Sequence, residues 1–443
     1  MGELGKRKMT AFKIHNALRL LTPKVGGGSL FLLLLFLLLP VCLELGAAEK
    51  KQKQPKPEKL STLRKNAKTA LKNQANQDAA RDALLGALTR EGLKDRQKAD
   101  IYYTAALLEE SLNGVENRKA YLKQAFDTAK FFNKLSDMYA QLRLCDSVDL
   151  VPDGSGRVHP RLQKKTRALR LKHRRNIIGG GKYFLARQGF APSYPFFDLY
   201  ITYRYDEPAD SLLRQAVCLA ALTAFHSDNY PGTVKHADEA ITYSDSSTAA
   251  IILEYKARAY SQLKDSDMWV VTLRRGVREY PKHDFFFVHL ADWYHEQRDF
   301  DGERKLADQL IAATGGRAIH FYAKSKSYLA ENDYESCIAF ADSSIALQQD
   351  YADAYYNKGI AYLNMAVIAQ ENSCKDIDKP EYLTDRERMR EFYRKARPCM
   401  EMVRKLQPEK QDRWASPLYR IYLNLNLGDE FVEIDRLLNP KSK

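Results

Sequence analysis

The chain has 443 residues, 45% of them hydrophobic and 28% charged, with a formal net charge of +14. That apolar content excludes a disordered chain, and the length argues against one compact globule built on a single core. The positive charge favours acidic partners or anionic surfaces without selecting one, and the six cysteines are scattered without metal-ligand spacing.

Lys6, Arg7, Lys8, Lys13, Arg19 and Lys24 precede an unbroken apolar run from Leu30 to Leu39, and Gly46 and Ala48 stand at −3 and −1 of a cleavage before Glu49. This is the layout of an export signal over residues 1–48. Two alternatives stay open. One is an uncleaved anchor, because Val25 to Leu43 is uncharged and barely long enough to span. The other is lipidation of Cys42. All three expect an exported body, periplasmic or membrane-attached and facing the periplasm, with no second span after it. Residues 1–48 carry a net +4, which leaves +10 for the body.

Residues 49–59 are charged, contain two prolines and read as an extended tether. Helical periodicity begins at Leu60, with Leu63, Ala67, Ala70 and Leu71 on one face. Ala80 to Leu88, a segment from about Lys98, and Ala125 to Cys145 follow. Residues 60–149 are thus degenerate N-terminal helical repeats. Residues 150–159 form a loop by their Pro, Asp and Gly content. A basic helix is expected over 160–176, with Pro160 in its first turn. No acidic residue occurs from Gly154 through Phe197, so Arg161, Lys164, Arg167, Arg170 and Arg174 become candidates for contact with an anionic surface. Gly179-Gly180-Gly181-Lys182 lacks the strand and the Ser/Thr of a phosphate loop. Gly181 and Phe184 instead fit positions eight and eleven of a repeat.

The repeat is clearest from residue 250. Blocks of 34 residues start at Ala250, Asp284, Ala318 and Ala352. Position eight is Ala257, Ala291, Ser325 and Gly359, and position eleven is Tyr260, Tyr294, Tyr328 and Tyr362. A small residue lets two helices approach, and an aromatic fills the space between hairpins. The expected fold is all-α: a right-handed solenoid of stacked helix–turn–helix repeats over 160–443. Pro281 and Pro408, at position thirty-two, end second helices. The fourth block carries about 25 extra residues, an insertion at about 366–391. Cys337 is expected as a packed thiol, and a disulfide between Cys374 and Cys399 is an open alternative.

These residues resemble the tetratricopeptide repeat family, most specifically over 214–408, in the manner of envelope-attached bacterial members. The resemblance implies a non-enzymatic scaffold that binds protein or extended peptide through a concave groove lined by first helices. Carried onto this chain, the groove positions give Tyr255, Arg258 and Gln262, then Phe285, His289, Asp292 and His295, then Tyr322 and Lys326, and lastly Tyr356, Asn357 and Ile360. A sugar chain is the alternative occupant, since aromatic grooves also stack on sugars. The family's carboxylate clamp is not expected, because only Asn357 fits it. No cofactor, metal or catalytic residue is expected: His283, His289 and His295 are six apart, which spreads them around a helix. The export signal argues against nucleic acid as the partner of the basic helix.

Overall fold

The computed structural model describes residues 58–206 and 212–439. The export segment and nearly all of the tether lie outside the described residues. Among the described residues there are eighteen α-helices and no strand. The irregular N-terminal hairpins are α1 (Leu60–Asn73) with α2 (Gln77–Gly86), and α3 (Asp95–Tyr121) with α4 (Thr128–Asp149). Next come α5 (Gln163–Leu185) with α6 (Phe190–Thr202), and α7 (Leu213–His226) with α8 (Tyr230–Thr242). The regular blocks are α9 (Ser246–Gln262) with α10 (Ser266–Glu279), α11 (Asp284–Glu296) with α12 (Phe300–Thr314), and α13 (Ala318–Ala330) with α14 (Tyr334–Leu347). The chain ends with α15 (Ala352–Glu371) and α16 (Pro380–Leu406), then α17 (Gln411–Leu425) and α18 (Gly428–Leu438). At the junctions opened by α3, α9, α13, α15 and α17, the first helix of one hairpin touches both helices of the hairpin before. The architecture is an all-α solenoid, and from Glu58 onward the chain packs as one unit.

Position eight controls how close the helices come. A Cβ on Gly359 would stand 2.6 Å from Met400 of α16, and one on Gly181 would stand 2.7 Å from the Phe197 ring of α6. Ala257, Ala291 and Ser325 occupy the same position and are buried. Turn chemistry repeats as well. Lys264, Arg298 and Asn332 each adopt left-handed backbone before an aspartate that caps the next helix. Asp265, Asp299 and Asp333 accept the backbone N–H of Met268, Gly302 and Ser336, which satisfies an orphan donor of each second helix.

A third repeated device joins neighbouring hairpins. Lys256 meets Asp238 of α8 at 2.7 Å, Lys324 meets Asp308 of α12 at 2.7 Å, and Lys358 meets Asp342 of α14. Each lysine holds position seven and each aspartate holds position twenty-five of the preceding repeat.

Several expectations change. The basic helix starts at Gln163, after Pro160, because the Asp149 carboxylate accepts the backbone N–H groups of Arg161 and Leu162 and holds them ahead of the helix. It also runs past 176 to Leu185, since Gly180 and Gly181 lie against Phe196 and Phe197 and are packed instead of exposed. The helix α9 begins four residues before 250, capped by Asp245. The insertion is largely helical: it lengthens α15 and α16 to 20 and 27 residues around a turn at 372–379. Cys374 and Cys399 are both free thiols. Burial pushes the Cys337 and Cys399 thiols up to about 11, which keeps them protonated and unreactive.

Two substitutions test the register. Gly359→Leu is expected to destabilise by about 1–3 kcal/mol through overpacking. Arg298→Gly, at φ +57°, is expected to stabilise by up to about 1 kcal/mol, because relief of left-handed strain exceeds the added chain entropy. Urea denaturation midpoints that move in the opposite directions would contradict the register.

Candidate functional site

The first helices α9, α11, α13 and α15 carry all the groove residues expected from sequence. Most of these side chains contact one another or their flanks and so form a row. On α9, the Tyr255 ring stacks on Phe225 with centroids 4.1 Å apart, and its hydroxyl lies 3.4 Å from the ring nitrogen of His226. Burial raises the Tyr255 pKa and lowers that of His226, so both stay neutral near pH 7. One turn on, the Arg258 guanidinium sits 4.6 Å from the Phe285 ring centroid while pairing with Glu254 at 2.7 Å. Glu254 also accepts from His283 at 2.7 Å. Burial pushes its carboxyl up, but the hydrogen bonds from His283 and Arg258 outweigh that and hold it below the usual range.

On α11, the Phe285 ring lies edge-on to His289 at 4.4 Å, and Trp269 of α10 flanks His289 at 6.4 Å. Burial, with Arg258 adding repulsion, lowers the His289 pKa. Asp292 reaches forward to Lys326 of α13 at 2.8 Å. Tyr322 of α13 meets Tyr351 at 5.3 Å, and burial pushes the Tyr351 hydroxyl up to about 12. On α15, Tyr356 lies under the Arg413 guanidinium at 4.3 Å, and Arg413 also pairs with Asp353. Rings and ion pairs therefore run from α7 to α17 along first helices.

Four expected members stand apart. Gln262 is exposed at the end of α9. His295 points into its own hairpin and pairs at 2.8 Å with the fully buried Glu303. Asn357 is buried and donates to Ser325. Ile360 is partly buried and packs against the core cluster of the last hairpins. His295, Asn357 and Ile360 thus serve packing because their positions face the neighbouring helix. Trp269, His283, Tyr351 and Arg413 belong to the row and were not expected. Tyr351 and His283 precede helix starts, and Arg413 lies in the last hairpin, where the repeat pattern fades.

The basic helix α5 is also corrected. Arg170 is buried, meets Asp146 at 2.6 Å and Asp206 at 2.7 Å, and stacks 4.3 Å from the Tyr203 centroid. Arg174 is buried over Tyr200 at 4.2 Å and donates to the Tyr203 carbonyl. Arg161 pairs with Asp100, and Arg167 contacts Asp206. His173 and Lys172 together draw the Glu110 carboxyl down to about 2. The acidic partners come from α3, α4 and the 204–206 turn, all outside the acid-free stretch. Arg170 and Arg174 cannot reach an external surface. Arg161, Lys164 and Arg167 remain exposed, as do Lys165, Lys172 and Arg175. Among the described residues no group of side chains has the geometry of a metal site, and no helix is long and apolar enough to cross a membrane.

No family model and no curated protein matches the chain. Solved structures do resemble it. The C-terminal part of a TPR repeat-containing protein from Cytophaga hutchinsonii is 10% identical with a TM-score of 0.41, covering 59% of this chain and 95% of that one. A tetratricopeptide repeat protein from Parabacteroides merdae is 12% identical with a TM-score of 0.33, covering 60% and 98%. The TPR2AB-domain:pHSP90 complex of yeast Sti1 is 11% identical with a TM-score of 0.21, covering 58% and 98%. At these identities the likeness concerns the fold alone.

Charge reversal separates the buried arginines from the exposed lysines. Arg170→Glu is expected to cost about 3–5 kcal/mol, because it strands Asp146 and Asp206 beside a third carboxylate. Lys165→Glu should stay within about 0.5 kcal/mol. Thermal unfolding of the two variants checks the contrast, and equal melting temperatures would contradict it.

Proposed function

We propose that the chain is a non-enzymatic scaffold of the cell envelope that binds an extended protein segment along the row on its first helices. The observation that carries this reading is the continuity of that row across consecutive repeats, from Tyr255 through Phe285 and Tyr322 to Tyr356. Half-buried rings give an extended segment apolar contact at each repeat. The ion pairs between them, Arg258 with Glu254 and Asp292 with Lys326, offer donors and acceptors to a peptide backbone. A location outside the cytoplasm rests on the export layout of residues 1–48. A sugar chain is less well served. It needs open ring faces, yet Phe225 covers one face of Tyr255, and Arg258 sits over Phe285.

A random-peptide display selection on residues 58–443 tests the reading. Selected peptides should lose about tenfold or more in affinity with Phe285→Ala combined with Tyr322→Ala, a loss of about 1.4 kcal/mol or more. Arg278→Ala on the second-helix side should leave affinity unchanged. Failure to select any peptide, or selected peptides indifferent to the groove substitutions, would refute it.

A further inference from the structure

The hairpin of α3 and α4 is longer than its neighbours and overhangs them at one end. Gln77, the first residue of α2, donates to Ser111 at 2.6 Å, yet α3 continues ten residues to Tyr121, about 15 Å further at helical rise. On the other side Asn113 donates to the Phe131 carbonyl at 2.7 Å, and the adjacent Phe132 contacts Tyr183 near the end of α5. Beyond that level α3 runs eight more residues, about 12 Å. The tip thus projects past both adjoining hairpins.

Its apex is unlike the other first-to-second-helix turns. The short ones read Gln74-Ala75-Asn76, Arg187-Gln188, Ser227-Asp228, Leu263-Lys264, Gln297-Arg298, Glu331-Asn332 and Asn426-Leu427, and none of these exposes more than one large apolar side chain, Leu263 at 42%. Here Tyr121 is 86% exposed, Leu122 55% and Phe126 40%. Four cations, Arg118, Lys119, Lys123 and Lys130, surround these three apolar side chains, and Asp127 is the one acid in 117–130. The apex is also held in shape. The buried Glu116 carboxylate accepts from Lys119 at 3.0 Å and from the Asp127 backbone N–H at 3.1 Å, with Lys130 at 3.8 Å. Asp127 in turn caps α4. The exposed side chains therefore stand on a pre-ordered turn instead of a loose loop.

We propose that this apex docks into the interface of an anionic lipid bilayer, with Tyr121, Leu122 and Phe126 at the headgroup–acyl boundary and Arg118 and Lys123 against lipid phosphates. Aromatic rings with a polar tip or flank favour that boundary, and each nearby cation adds attraction that salt screens. The turn at 372–379 exposes Ile377 but balances Lys375 and Lys379 with Asp376 and Asp378, so it offers an anionic bilayer no net positive charge. The inference stands independently of the peptide groove, because no residue of the row is involved. Unlike α5, whose central Arg170 and Arg174 are buried, the apex joins its cations to three exposed apolar side chains.

The test uses residues 58–443, which pack as one unit and lack the apolar export segment. Sedimentation with phosphatidylglycerol-containing vesicles should show binding that weakens with salt and is far weaker on pure phosphatidylcholine. Combining Tyr121→Ser, Leu122→Ser and Phe126→Ser should lower partitioning by about tenfold or more, as should Arg118→Glu with Lys123→Glu, whereas Lys164→Glu with Lys165→Glu should have little effect. As a check that does not depend on the multiple variants folding, Tyr121→Trp emission should shift to the blue when anionic vesicles are added. No binding to anionic vesicles, binding that survives the apex variants, or unshifted Trp emission would overturn the proposal. So would vesicle-independent dimerisation abolished by the apex variants, which would assign the apex to a second copy of the chain.

Discussion

The near-contact of two helices at position eight is the constraint on which the solenoid depends. Where Gly359 meets Met400 or Gly181 meets Phe197, there is no room for a larger side chain. Close approach brings the two helices of a hairpin together, and this leaves a groove into which the next first helix can seat. Gly276 repeats the arrangement between hairpins, since a Cβ there would fall 2.2 Å from the Phe286 ring. Because successive first helices seat in the same way, side chains from α9, α11, α13 and α15 line up. The row is therefore a consequence of packing geometry: shift one helix and the contacts among Arg258, Phe285 and His289 are lost.

Electrostatics in this molecule is mostly spent internally. The basic helix α5 reads as a free cationic surface, yet Arg170 and Arg174 are buried against tyrosine rings, carboxylates and carbonyl groups from other elements. The position-seven lysines meet aspartates of the preceding repeat. Each pair joins a largely buried lysine to an exposed aspartate, and their repetition ties each hairpin to the one before it in the same register. Along the row the charges pair with one another in the same way, Arg258 with Glu254 and Lys326 with Asp292. The α3–α4 apex also combines exposed cations with exposed apolar side chains, far along the chain from the row.

The sequence carried the regular repeats well, because the signals there are local. Asp284, Ala318 and Ala352 begin helices, and Ser266, Phe300 and Tyr334 begin their partners, as the 34-residue spacing requires. The lysine at seven and aspartate at twenty-five were also present in that spacing and went unread, since their pairing crosses from one repeat to the next. Legibility fails where long-range partners decide. Asp149, from the preceding hairpin, delays the start of α5. Whether a first-helix side chain faces the row or a neighbouring helix depends on local rotation, which is why Asn357 and His295 fell on the packed side, while Trp269 joined the row from a second helix. The projection of the α3–α4 hairpin was invisible in sequence because it depends on the lengths of three neighbouring helices.

The most direct test of the account is a structure of residues 58–443 bound to a peptide selected for it. The account predicts an extended peptide lying across α9, α11, α13 and α15, with contacts to Tyr255, Phe285, Tyr322 and Tyr356 and the Glu254–Arg258 and Asp292–Lys326 pairs retained or redirected to the peptide backbone. A peptide seated on the second helices, or confined to one end of the solenoid, would contradict it.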